Sequence, residues 1–432
     1  MGRPKKNFST ASAYVPKKVG SLPGSADILA GSDPLDDAIL RKFQRVCNIY
    51  GFSKAELPVL EELRLYEQFY RERPHRFKQV CSLSQSQNIA VRSGILPSLL
   101  RAYYEHKLFE QGSFQKFHYS GFVSKLDHNQ GIVEQDLEFG MEIFGNFGHL
   151  AEAQVIASVW ELLRSLGLNE AILEINNIGD ANCQKVYQES LGEFLQNRKL
   201  DLCDACHVHL QNRPLNVLRC DRLDCRAVVS EAPTVLDFLS EDSNKHFTNI
   251  LEALDELGIA YQLNPLYAGA AGHSRTNFAI KYKVEDKTVI LGEGGYHDDL
   301  IQNLCGKNYC CFGFVGSLLV LKRLVVSTSV LIEQENLSEV FLVPLGELAA
   351  KRALKLFRDL TMSKVVVYDN FGHVGVKNQL KAAEAQKAPI ALIIGQKEAV
   401  EEMVILRDVK SGMQEIISYD KIVEEVKKRL GR

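Results

Sequence analysis

Apolar residues recur every three or four positions through PLDDAILRKFQRVCNIY, residues 34–50, with acids at the start and Gly51 after the end. That spacing predicts an amphipathic helix with favourable end charges. FSKAELPVLEE, 52–62, reads as a strand, and Pro58 inside it restricts that strand to an edge or a bulge. HYSGFVSKLDHNQGIVEQDLEFGMEIFG, 118–145, reads as strand, polar loop, strand; a helix follows over 148–166 and a strand over 171–180. From about 181 to 257 the pattern turns helical and cysteine-bearing, as expected of an insertion. Strand-like YQLNPLY, TNFAIKYKV and TVILGEGGY then resume, and 308–326 reads as a strand running into a buried helix.

Beyond a linker at 327–337 the rhythm changes. EVFLVPLG, KVVVYD and PIALIIG are apolar strands separated by helical segments of 10 to 14 residues, the pattern of a βαβ domain. The domain prediction is a flexible arm over 1–20, a main domain over 21–326 carrying the insertion, and an α/β domain over 338–432.

Composition adds limits to this outline. With 432 residues, 46% hydrophobic and 24% charged, the chain has ample material for a folded core. No apolar run approaches the roughly 18–20 residues that span a bilayer, and the N-terminus has no apolar signal region. The expectation is therefore a cytoplasmic protein with no membrane partner and mostly reduced cysteines. The net charge of −3 is uneven: residues 338–432 hold 16 Lys/Arg against 13 Asp/Glu. The first 18 residues carry five basic groups and no acid, with Gly2-Arg3-Pro4 shaped like a groove-binding tail. A plain basic arm fits the same residues.

Cys203-x2-Cys206 and Cys220-x4-Cys225, thirteen residues apart, can set four thiolates around a structural zinc ion; reduced thiols in a small helical insertion are the alternative. His207 and His209 are spare ligands beside them. LGEGGYHDD is glycine-rich, but no Lys-Ser/Thr follows it, so it is not a phosphate loop.

The order of PGSADIL, GFSKAELPVLEE, GMEIFG, LEINNIGD, NRPLNVL, SRTNF, EGGYHDDL, GFVGSLLVLKRL and VPLGELAAKRALKLFRDL resembles histidyl-tRNA synthetase, a class II synthetase, over nearly the whole chain. The resemblance implies an α+β fold: a six- or seven-stranded antiparallel sheet flanked by helices, then an anticodon-binding α/β domain. It also implies a homodimer with the Pro58 strand and its helix at the interface.

Adenylation by that family needs fixed cations on a phosphate, a task suited to the arginine fork. By the resemblance, the second class motif places its arginine at Ser124, beside Lys125; no arginine occurs between Arg101 and Arg164. The third motif places one at Val320, with Arg323 three residues on. The histidine loop places one at Ala268, and Gly94 stands where a glutamate would hold the substrate amine. Arg92, Glu142 and Asp298 match the family, and a family glutamine becomes Glu138. Together these form a relic cleft with no assigned catalytic residue.

In the last domain Lys377, Asn378, Gln379 and Lys381 share a predicted helix, with lysines for an RNA backbone and amides for base edges. A solvated helix face is the alternative. The expected function is a synthetase-like homodimer that binds tRNA or a regulatory protein partner without aminoacylating. The alternatives are a divergent active histidine–tRNA ligase using ATP and magnesium, a regulatory subunit of ATP phosphoribosyltransferase, and an accessory subunit of a nucleic-acid enzyme.

Overall fold

The computed structural model describes residues 21–25, 34–71, 74–84, 88–112, 114–212, 214–220, 222–269, 274–285, 287–306, 309–328, 339–369 and 375–432. The basic arm and most of the predicted linker lie outside them. The chain divides into two compact units, Met1–Ile332 and Glu333–Arg432.

Strands of the first unit are β1 (Ser53–Lys54), β2 (Leu60–Glu62), β3 (Ser82–Ser84), β4 (Ile89–Val91), β5 (Phe114–Asp127), β6 (Ile132–Gly145), β7 (Ile172–Asn177), β8 (Tyr261–Leu263), β9 (Ser274–Val284), β10 (Lys287–Tyr296) and β11 (Cys311–Ser317). Eight of them form one sheet in the order β1-β5-β6-β11-β10-β9-β7-β8. Only the edge strands β1 and β8 pair in parallel; the six between are antiparallel. The sheet is therefore mixed at its edges, where a purely antiparallel one was expected.

The strand predicted over 52–62 is broken. Ser53–Lys54 joins the large sheet, while Leu60–Glu62 pairs with β4 in a three-stranded sheet. Pro58, which has no N–H for a ladder, falls in the gap between them.

Strand alternation gives the large sheet two different faces. On the back, Phe139, Met141, Ile143, Leu173, Ile175, Phe278 and Ile280 pack against the helices Pro34–Ile49, His149–Ser165 and Leu318–Ser327. The Glu241–Glu256 helix belongs here too, through Phe247, Ile250 and Leu254. The insertion proper thus ends earlier than the helical pattern implied. Its own small core runs from Ile178 to Val235 and closes on Ala268. The front face carries Glu138, Gly140, Glu142, Glu174, Lys281 and Glu293. Beside β5 and β6 it is covered by the helices Leu63–Phe69, Leu96–Glu105 and Asp298–Cys305.

The second unit has strands β12 (Val340–Pro344), β13 (Val367–Asp369), β14 (Ile390–Ile394), β15 (Met403–Asp408) and β16 (Gln414–Ser418) in the order β13-β12-β14-β15-β16. The first three are parallel, as the βαβ rhythm predicts, and the last two turn antiparallel. Among the described residues no helix is long and apolar enough to cross a membrane.

Candidate functional site

Of the predicted site positions, Arg92, Glu138, Glu142 and Asp298 gather under the front-face helices, Ala268 lines an open cleft farther along the sheet, and Ser124, Val320 and Arg323 belong to neither. Glu142 anchors the closed group. It is fully buried, with the Tyr119 hydroxyl 3.5 Å from Oε1, and the Cys311 thiol at 3.6 Å and His297 Nε2 at 3.4 Å from Oε2. None of these three neighbours was singled out from sequence. They meet Glu142 only through cross-strand pairing and the turn after β10, which no local pattern marks.

Glu138 sits two strand repeats away on the same face and accepts a hydrogen bond from the Ile95 N–H at 2.6 Å. Burial pushes its carboxyl above the ordinary range, against the opposing pull of that N–H, Lys125 and Arg92. A side chain at Gly94 would begin 3.7 Å from Glu138 Oε2. Glu138 on β6 thus brings a carboxylate up against the position of Gly94.

A pH dependence follows. A carboxyl whose folded pKa is raised contributes full stability below its unfolded pKa, and that contribution is lost as pH rises through the folded value. Glu138→Gln keeps the acceptor for Ile95 and removes the titration. The variant should match the parent in acid and become progressively more stable than it towards neutral pH. Trp160, the chain's single tryptophan, lies against the core of this unit and reports urea unfolding at each pH. A gain that shrinks as pH rises would refute the assignment.

Arg92 is buried and committed to the backbone. Its Nε donates to Phe122 O at 2.6 Å and its Nη1 to Leu57 O at 3.0 Å, with the guanidinium lying over Gly121. Asp298 is bound to Arg275, whose guanidinium also lies 3.8 Å from the centre of the Tyr296 ring. Asp298 further accepts the Cys311 N–H at 3.1 Å, and burial raises its carboxyl above the usual range.

Strand register tells the faces of the two second-motif residues apart. Ser124 opposes Gln135 on the back-face alternation, whereas Lys125 opposes Glu134, in line with Glu138 and Glu142. A shift of one residue along a strand reverses the face. Lys125 is therefore the front-face cation. Val320 packs its side chain on the back-face core, its N–H capped by Ser317 Oγ at 3.1 Å, and Arg323 one turn on is exposed.

The open cleft has a volume of about 1580 Å³ between the insertion and the strands β7, β9 and β10. Of the predicted relic positions, only Ala268 lines it among the described residues. Ala268 is buried in the insertion's core, and its carbonyl accepts from Arg219 Nη2 at 3.1 Å. On the cleft floor, Lys281 Nζ donates to Glu174 Oε1 at 2.6 Å and the Tyr267 hydroxyl to Glu293 Oε1 at 2.9 Å. Arg71, Arg76, Lys185 and Arg226 add basic groups to its walls. Apart from Ala268 and the candidate metal ligands Cys206, His209 and Cys220, the cleft residues were not identified from sequence, because they come together only through the fold.

The four cysteines do converge: the sulfurs of Cys203, Cys206, Cys220 and Cys225 all lie within 4.8 Å of one another. Backbone hydrogen bonding at Cys206 lowers the Cys203 thiol to about 7. The spare ligands His207 and His209 are not in this group of four: His207 Nε2 lies 2.7 Å from Lys199 O, and His209 faces the cleft. In the second unit Lys377, Asn378 and Lys381 are exposed on the Val376–Ala385 helix. Gln379 is buried, with Nε2 donating to Pro344 O at 2.9 Å. It holds the helix to β12 and is unavailable to RNA, because the helical repeat turns it inward between exposed neighbours.

Two family models match: histidyl-tRNA synthetase over residues 26–320 and an anticodon binding domain over 339–429. The histidine–tRNA ligase of Caldicellulosiruptor bescii is 26% identical over 96% of this chain and 99% of its own length. That of Corynebacterium kroppenstedtii is 28% identical over 96% and 98%. The apo histidyl-tRNA synthetase of S. aureus superposes with a TM-score of 0.79 at 24% identity, covering 95% of this chain and all of that one. A protein from Bacillus halodurans, described as an ATP phosphoribosyltransferase regulatory subunit/histidyl-tRNA synthetase, superposes at 0.60 with 18% identity, covering 88% and 99%. The chain belongs to the histidyl-tRNA synthetase family, with a class II synthetase body followed by an anticodon-binding domain.

Proposed function

We propose that this chain is a homodimeric tRNA-binding member of its family that does not aminoacylate. The observation that carries the reading is the makeup of the three arginine positions. One is filled by Ser124 or Lys125, one by buried Ala268 and one by core-packed Val320. Synthetases of this kind use ATP and magnesium, and this donor set does not fit a triphosphate. A lysine offers a point charge where a bidentate fork is needed, and the other two positions offer no charge.

RNA binding rests on the second unit. Lys377 and Lys381 stand one helical turn apart on an exposed face, with Asn378 beside them. Lysines hold phosphates and position the strand, so binding should be strongly salt-dependent. In filter binding with tRNA transcripts, K377A/K381A should weaken binding about tenfold and reduce the salt slope by about 2. Unchanged affinity and slope would remove this face from the reading. Dimerisation is supported by β2, an edge strand on which Leu60 and neighbouring Val59 are exposed. A regulatory protein partner is the variant of this reading to adopt if tRNA does not bind.

A second reading, a divergent active histidine–tRNA ligase, is favoured by Lys125 on the front face and by Glu138 beside Gly94. It requires Lys125 and Arg323 to act as the missing cations, so K125A or R323A should then abolish aminoacylation. A phosphoribosyltransferase regulatory role would instead require tight histidine binding, which calorimetry measures directly.

A further inference from the structure

Four cysteines in the insertion have no part in that reading, yet the fold brings them to one point from three separate segments. Cys203 precedes the Asp204–Asn212 helix and Cys206 lies in its first turn. Cys220 follows the 3-10 turn Pro214–Arg219, and Cys225 lies in the Leu223–Ser230 helix. All four sulfurs fall within 4.8 Å of one another, with Cys203 and Cys220 at 3.9 Å.

A zinc ion held by four thiolates at about 2.3 Å sets its sulfurs about 3.8 Å apart. The observed cluster needs a contraction of no more than about 1 Å to meet that geometry, well within side-chain rotation. Its sulfurs converge as a set of four, and the described cysteines are free. Cys206 and Cys225 are buried and the other two are half-buried, so an ion here would be shielded by Leu202, Leu218 and Val228 of the insertion's core. The Cys203 N–H donates to Cys225 Sγ at 3.2 Å, the kind of contact that steadies a metal-bound thiolate.

Ligand chemistry and need point the same way. Four soft sulfurs in a compact set suit zinc, and a closed set leaves no open position for catalysis. The insertion is made of short helices and 3-10 turns around a small core, the kind of unit that gains most from a metal staple.

We propose that Cys203, Cys206, Cys220 and Cys225 bind one zinc ion as a structural tetrathiolate centre that clamps the insertion together. Binding releases the four thiol protons to solvent and changes no oxidation state.

The test uses the full chain, purified without chelator. Elemental analysis should find one zinc per chain, and a mercurial thiol reagent should release that zinc only as four equivalents react. Cobalt substituted for zinc should give the intense visible absorption of a tetrahedral thiolate site. C203S and C220S should each lose the metal, whereas Cys81→Ser, outside the cluster, should retain it. Since the serine variants could lose metal by misfolding, the release stoichiometry on the unaltered chain stands as a separate readout. A chain free of metal with all four thiols reactive, the four found oxidised in pairs, iron in place of zinc, or zinc retained by C220S would each overturn the proposal.

Discussion

Supplied with ATP, magnesium, L-histidine and labelled pyrophosphate, the purified chain should exchange no label above a histidine-free control. Adenylation builds charge on the α-phosphate, and the rate depends on cations fixed in place before the reaction. Losing one such donor costs about 10² to 10³ in rate. Because the losses do not add simply, the expected deficit against an active ligase is about 10⁴ or more rather than the product of the terms.

Reinstating single arginines should not rescue exchange, for reasons visible in the fold. Ala268 is packed in the insertion's core and Val320 against the back-face core. An arginine at either site must leave that packing or bury its charge, which costs several kcal/mol unless it finds a partner. Only K125R keeps its place on the front face, opposite Glu134. Histidine-dependent exchange within about tenfold of an active relative would end the proposed function and restore the ligase reading; this deficit is the outcome with the largest expected effect.

How far the sequence revealed this molecule depended on the range of the interactions involved. Strand alternation and helical spacing are local, so the main strands and the βαβ rhythm of the second unit could be read directly. Pro58 marked an irregularity, but not that its two sides would enter different sheets. Ser124 and Lys125 differ by one residue, and only cross-strand pairing tells which faces forward. Gln379 has the same polarity as its exposed neighbour Asn378, and its inward direction is set by the acceptor at Pro344. The cysteine pairs could be seen as pairs, whereas their meeting at one point is a product of the insertion's core. The cleft floor joins Glu174, Lys281 and Glu293 from three strands, and nothing local connects them.

Gly313→Ala should destabilise the first unit by about 3 kcal/mol, at the upper end of overpacking costs. On β11, Gly313 stands directly across from Glu142. A Cβ there would run into the Glu142 carboxylate and the Met141 carbonyl, far inside van der Waals contact. Neither neighbour can yield cheaply. Met141 O is backbone in a central strand, and Glu142 is fully buried beside Tyr119, Cys311 and His297. Denaturant unfolding followed at Trp160 isolates this unit from the second one. A loss below about 1 kcal/mol would mean that Glu142 shifts freely and that its surroundings are looser than the contacts imply. The expected loss also bears on how the motif is read. A glycine in the third motif's run is required here by packing, so its presence is not by itself a sign that nucleotide binding survives. The proposed loss of chemistry therefore rests on Ser124, Ala268 and Val320 and not on the glycines of this run.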